Sequence, residues 1–149
     1  MALEHAKSFK DLRVYQKARE VSRMVFKFSK AFPKEEMYSL TDQIRRAARS
    51  VGAQIAEAWG KRRFEKHFVS KLTDADAEQL ETQHWVTEAL DCGYISSADA
   101  IQLNSDLEGV GRMLHSMMEK ADSFCGSPGT IVREDATEYF TAEPPITDY

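Results

Sequence analysis

Apolar residues recur every three or four positions along most of the chain, and no segment shows sustained strand alternation. Four such stretches predict helices over about 11–30, from 39 or 41 to 59, over 64–91, and from just after the Ser96-Ser97 caps to about 124. Pro33 ends the first helix, while Gly60 and Gly93 end the second and third. The pattern therefore predicts an all-α fold, an up-down-up-down four-helix bundle with short loops, although periodicity alone leaves other all-helical pairing orders open.

The first predicted helix, with Asp11 as its N-cap, has an apolar stripe broader than one bundle seam requires. Val14 and Phe26 lie far apart on that stripe, and a row of cations from Arg13 to Lys34 lies opposite. The breadth indicates burial on two sides, one inside the bundle and one against a partner.

The last residues differ from the rest of the chain in composition. Residues 126–149 contain three of the four prolines, five acidic residues and one arginine. Such a segment cannot bury enough apolar surface to offset the entropy of ordering. We therefore predict one bundle domain over residues 1–125 and a disordered, flexible acidic C-terminal tail over residues 126–149.

The net charge of −4 conceals a strong asymmetry. Residues 1–73 hold 17 Lys and Arg against 8 Asp and Glu, a balance of +9, whereas residues 74–149 hold 3 against 16, a balance of −13. This division indicates either an anionic ligand on the first half or charge matching between halves of neighbouring copies.

Membrane insertion and export are not expected. No run of eighteen apolar residues is present, and the first residues lack the apolar core of an export signal. Cys92 and Cys125 are isolated, which is typical of reduced thiols. The sequence therefore predicts a cytoplasmic protein.

Catalytic and metal-binding signatures are weak. Glu81 and His84 form one Glu-x-x-His pair, but a di-iron site needs a second pair, so we interpret them as exposed helical side chains. Neither a nucleophile with a matching base nor a glycine-rich phosphate loop can be identified. We predict a protein that is not an enzyme and has no catalytic residue, metal or cofactor.

A polar strip borders the apolar face of the second helix, and two interpretations of it remain open: a solvated edge, or a buried or interfacial hydrogen-bonding strip. Arg46 and Glu57 are eleven residues apart, about 16 Å along a helix, so they cannot pair with each other. Any opposite charges they meet are expected on another helix or another subunit. The strip consists of Gln43, Arg46, Ser50, Gln54 and Glu57.

A basic region spans the second helix and the loop after it. Cations near the end of a helix also favour its dipole, so a solvated rim is the competing interpretation. Trp59 and Phe64, which flank the loop, are assigned to apolar stripes, so no aromatic stacking platform is expected there. The candidate nucleic-acid-binding residues are Arg45, Arg49, Lys61, Arg62, Arg63 and Lys66.

Three stretches together resemble the four-helix bundle proteins encoded in intervening sequences of bacterial 23S ribosomal RNA genes: FKDLRVYQKAREVSRMVFKFSKAFPKEE, YSLTDQIRRAARSVGAQIAEAWGKRR and LETQHWVTEALDCGYI. The resemblance covers roughly residues 9–122. Gln54 stands where the family usually has Asn, and Ala58-Trp59 replaces the usual Gly and its neighbour. The accessory proteins of diversity-generating retroelements are similar to this family.

The resemblance implies an up-down bundle that assembles as a homopentameric ring, and it leaves the biochemical role open. Two functional hypotheses follow. In the first, a non-enzymatic ring binds RNA or DNA backbone through the basic surface, with avidity from the repeated subunit. In the second, the protein is an interaction scaffold whose charges serve self-assembly and docking of a protein partner, with no nucleic-acid binding.

Overall fold

A computed structural model of the chain describes residues 4–126 and 132–134. Four long helices run antiparallel in sequence order, and each packs against its two neighbours, so that α1 contacts both α2 and α4. The prediction of an all-α up-down-up-down bundle is confirmed. The helices are α1 (Arg13–Ser29), α2 (Leu40–Gly60), α3 (Glu65–Asp91), α4 (Ser97–Glu119) and a short α5 (Ala121–Phe124).

The core consists of two apolar clusters stacked along the bundle axis. One is centred on Phe68, Leu72 and Leu114, and the other on Ile44 and Leu103; all five are almost fully buried. Small residues of α2 lie between α1 and α3, because side chains of this size let two helices approach closely. They include Ala47, Ala48, Gly52 and Ala58.

A polar layer separates the two clusters on α3. Gln79 is buried, and its Nε2 donates to Asp76 Oδ1 at 3.0 Å while its Oε1 accepts from Gln83 Nε2 at 2.7 Å. His115 of α4 lies 3.1 Å from Asp76 Oδ2. Gly111 of α4 faces the layer, and an added Cβ there would lie 2.9 Å from Gln79 Nε2. The interface between α3 and α4 is therefore polar at mid-height.

Several helix ends differ from the sequence prediction. Asp11 is not the N-cap of α1: it belongs to a 3₁₀ turn, Phe9–Asp11, in which Ser8 and Asp11 form a capping box. The fourth helix breaks at Lys120 instead of continuing to Phe124. Gly93 has a φ of +75°, the left-handed conformation that ends α3 as expected.

The start of α2 is held by a carboxylate from the preceding 3₁₀ turn, Lys34–Glu36. Glu36 Oε2 accepts hydrogen bonds from the backbone N–H of Leu40 at 3.2 Å and from Ser39 Oγ at 2.9 Å. Its other oxygen accepts from the hydroxyl of Tyr94, which follows α3, at 3.3 Å. One side chain thus caps α2 and ties it to the connection between α3 and α4.

Two three-residue strands, β1 (Glu4–Ala6) and β2 (Val132–Glu134), pair in antiparallel register, with Ala6 opposite Val132. The sequence prediction missed them, because three residues are too few to show alternation. Most of the predicted disordered tail, 127–131 and 135–149, lies outside the described residues. Within the described part, none of the helices has the length and apolarity needed to span a membrane.

Candidate nucleic-acid interface

Cations of α1 and α2 gather around the ring of Phe26, which is 39% exposed. The guanidinium carbons of Arg45 and Arg49 lie 4.8 and 5.7 Å from the ring centroid, and Lys30 Nζ lies 4.7 Å from it. Arg45 is also fixed by a 2.7 Å hydrogen bond from its Nε to Ser29 Oγ. The aromatic face thus holds several positive charges on one surface.

An open groove of about 760 Å³ runs between α1 and α2 beside this cluster. Phe9 and Phe26 are among its lining residues, and Gly52 lets the Tyr15 ring lie close, since a Cβ there would be 3.5 Å from Tyr15 Cε2. The outer half of the broad stripe on α1 therefore faces this groove and not the core. The charged lining residues are all arginines: Arg19, Arg23 and Arg49.

These arginines have no acidic partner in the part of the chain that the structure describes. No carboxylate lies within 4 Å of Arg23, Arg45 or Arg49 there, whereas Arg46, on another side of α2, pairs with Asp42 at 3.6 Å. Cations without a carboxylate partner remain available to an external anion. The groove and the Phe26 cluster together are called the arginine face below.

The second basic group surrounds the loop between α2 and α3. The Arg62 guanidinium lies 3.5 Å from the Trp59 ring centroid, and its Nε donates to the Trp59 carbonyl at 2.9 Å. Partial burial lowers the pKa of Arg62, which remains charged because an arginine pKa is far above neutrality. Lys61, Arg63 and Lys66 are exposed.

The assignment of Phe64 to an apolar stripe was wrong. Phe64 is the N-cap of α3 and is 57% exposed, and the Arg63 guanidinium lies 5.7 Å from its ring. The His67 ring centroid is 5.5 Å from that of Phe64. The loop therefore presents an exposed aromatic ring among cations, which the sequence analysis did not expect.

The six predicted basic residues form two groups, one on α2 beside Phe26 and one around the loop between α2 and α3. Arg49 and Lys61 are twelve residues apart, or about 18 Å along α2. Each group combines cations with an exposed ring, Phe26 in one and Phe64 in the other. Sequence analysis missed Arg19 and placed Arg23 on the far side of α1; the signal available was their i, i+4 spacing.

The polar strip of α2 lies on the side that faces α3. Lys71 of α3 bonds Glu57 at 3.2 Å and Gln54 Oε1 at 3.4 Å, so Glu57 does meet a charge on another helix. Arg46 instead meets Asp42 on its own helix, so the expectation that its partner lies elsewhere was wrong. Gln43 is exposed and Ser50 is half-buried.

The Glu-x-x-His pair lies on the surface of α3. Glu81 and His84 are exposed, and His84 lies 3.9 Å from Glu88 on the same helix. Among the described residues, no three potential metal-ligating side chains come together.

Comparison with known proteins identifies a family and structures of similar fold. A family model described as 23S rRNA-intervening sequence protein matches residues 10–116. A crystal structure of a protein of unknown function from the S23 ribosomal protein family of Bacteroides thetaiotaomicron VPI-5482 is 26% identical, with a TM-score of 0.65. The alignment covers 71% of this chain and 95% of that one. No curated protein matches the chain.

Proposed function

The chain belongs to the 23S rRNA-intervening sequence protein family, and from that premise we propose a non-enzymatic homo-oligomeric bundle that binds the phosphate backbone of RNA or DNA. The oligomer is a pentameric ring, as the family resemblance implies. The observation that carries the proposal is the arginine face, where Arg23, Arg45 and Arg49 have no carboxylate partner among the described residues. Phosphates fit such groups because guanidinium forms charge-assisted hydrogen bonds with them.

The two basic groups match the geometry of a nucleic-acid strand. Their separation of about 18 Å along α2 corresponds to several phosphates, so one strand can contact both groups. Phe26 and Phe64 add exposed rings on which unpaired bases can stack, which favours single-stranded segments. Repetition of both groups around a ring adds avidity.

Self-assembly is supported by surface left uncovered in the single chain. Leu80 of α3 and Ile101 of α4 are 55% and 70% exposed, on the acidic half of the molecule. An acidic surface of one copy facing a basic surface of the next gives a head-to-tail contact, which closes into a ring when the rotation permits. Charge then sets orientation, while apolar burial supplies affinity.

A protein-interaction scaffold is the second candidate function. Met37 and Tyr38, just before α2, are 51% and 90% exposed. Exposed Met and Tyr are enriched in protein interfaces. In this case the basic groups bind acidic protein surfaces and nucleic acid does not compete.

Salt-titrated binding of a fluorescent single-stranded RNA tests the first function. The log of the association constant should fall with log salt by about 0.7 per phosphate contact. The triple variant Lys61→Ala, Arg62→Ala, Arg63→Ala should weaken binding and reduce this slope by the amount that corresponds to about two phosphate contacts. The third residue, Arg62, is not counted because it is already held by Trp59. Binding that is undetectable, or unaffected by both salt and the variant, contradicts the proposal.

A matched control removes the same charge from elsewhere. Lys27, Lys34 and Arg112 are exposed and lie outside both basic groups. Changing these three to Ala should leave the slope almost intact, apart from long-range screening. Light scattering after size exclusion tests the ring separately, and a monomer at micromolar concentration rules it out.

A further inference from the structure

The arginine face contains a groove whose arginines have no acidic partner among the described residues. Its floor is made of small side chains, of which Ala53 is exposed, and its rim is cationic at Arg19, Arg23 and Arg49. An occupant must therefore be narrow, partly apolar and acidic. A short peptide segment with carboxylates and aromatic rings has this chemistry.

The chain itself contains one such segment. Residues 135–149 hold four acidic residues, no Lys or Arg, and three aromatic residues. The acidic residues are Asp135, Glu138, Glu143 and Asp148, and the aromatic residues are Tyr139, Phe140 and Tyr149. The family match ends at residue 116, so this segment lies outside the matched residues.

The strand pair brings the segment within reach of the groove. Glu134, its immediate predecessor, is opposite Glu4, and Phe9 at the groove follows Glu4 by five residues. That path spans at most about 17 Å, and the groove from Tyr15 to Phe26 adds about 16 Å along α1. Fifteen extended residues span about 50 Å, which exceeds the sum.

The geometry points to an intramolecular contact in which residues 135–149 lie in the α1–α2 groove of the same chain. The tether favours this occupant over a separate molecule, because short linkers give effective concentrations of about millimolar. The Lys61–Lys66 group lies outside the groove and stays open to phosphates and to neighbouring copies. The segment thus competes with anions for Arg23 and Arg49 among the arginines proposed to bind nucleic acid, since Arg45 is not a lining residue.

Carbodiimide cross-linking of the full chain tests this contact without altering the groove. The reagent joins an amine to a carboxylate in direct contact, and Lys30 Nζ lies at the Phe26 end of the groove. Mass spectrometry should find Lys30 joined to Glu138, Glu143 or Asp148. The cross-link should decrease steeply in about 0.5 M salt, where screening is nearly complete beyond 4–5 Å.

Two arginines of α2 provide a matched pair of variants. Arg49→Ala should reduce the cross-link yield about tenfold, the effect of one charge-assisted hydrogen bond. Arg46→Ala removes an exposed arginine from the same helix outside the groove and should leave the yield unchanged. Equal yields in the two variants overturn the proposal, as does the absence of any link between Lys30 and residues 135–149.

Mixing ¹⁴N- and ¹⁵N-labelled protein identifies the source of the occupant. Links within one isotope class support the intramolecular contact. Mixed-isotope links, or links from Lys30 to carboxylates of α3 or α4 in a second copy, place another subunit in the groove and overturn it. The experiment contains no nucleic acid, so its result is independent of whether the chain binds RNA.

Discussion

Gly111→Ala is expected to destabilise the bundle, although alanine normally favours a helix. Replacing Gly with Ala inside a helix contributes about 0.8–1.0 kcal/mol. At Gly111, however, the new Cβ would lie 2.9 Å from Gln79 Nε2 and 3.4 Å from Asp76 Oδ1. The buried amide must shift, and the hydrogen bond from its Nε2 to Asp76 is disrupted.

Gly109→Ala is the matched control, two residues away on α4. A Cβ there would lie 3.6 Å from a terminal nitrogen of Arg112, an ordinary contact with an exposed side chain. This variant should gain the full helix contribution of about 1 kcal/mol. A buried group left unpaired costs about 1–3 kcal/mol, so Gly111→Ala should be less stable than Gly109→Ala by that amount.

Urea denaturation followed by circular dichroism measures both variants. All samples need the same protein concentration, because assembly makes stability concentration-dependent. In a Gln79→Ala background, Gly111→Ala should recover its helix contribution, since the amide is gone. Equal stabilisation by Gly109→Ala and Gly111→Ala in the native background would refute the account of the polar layer.

Three further outcomes follow from single side chains. Glu36→Ala should lower the free energy of unfolding, measured in urea melts, by about 1 kcal/mol, because α2 loses its cap. Glu35 is exposed, and Glu35→Ala should change the same quantity by less than about 0.5 kcal/mol. Burial, followed by repulsion from the adjacent Glu81 carboxylate, raises the pKa of Glu78; its charged form is disfavoured in the fold, so stability is lost as pH rises through that pKa. Glu78→Gln should therefore raise the melting temperature at pH 7 and have little effect near pH 4, and a gain confined to low pH contradicts this sign. Ellman's reagent should modify exposed Cys92 before Cys125, because burial, with Glu65 nearby, raises the pKa of the Cys125 thiol. Cys92→Ser should therefore remove the fast phase of the reaction. A fast phase that persists in this variant disproves its assignment to Cys92.

The elements that the sequence predicts well are those whose signals are local. The bounds of α2 and α3 follow from apolar spacing and from a glycine at the C-terminal end of each helix, Gly60 and Gly93. Gly93 also has the backbone conformation that its position implied. The prediction of Asp11 as the N-cap of α1 was wrong, because the residue types that cap a 3₁₀ turn are the same as those that cap an α-helix. The break at Lys120 has no marker such as Pro or Gly in the sequence.

The arginine face was only partly predictable, because it depends on which helices are neighbours. Arg45 and Arg49 were identified from their charge, but their association with Phe26 joins residues about twenty positions apart in sequence. Periodicity also assigned Phe64 to the interior, since a residue one position before a helix shares the phase of the buried face without being covered.

The polar layer on α3 also has a consequence for alignment of the helices. If α3 slid by one turn, about 5.4 Å, along α4, the Gln79 amide would enter an apolar cluster and Gly111 would face a different side chain. A purely apolar interface between α3 and α4 would resist such a shift less, because one leucine could take the place of another at little cost in free energy. The Gln79 amide fits only opposite Gly111, and this pair therefore fixes the register of α3 against α4.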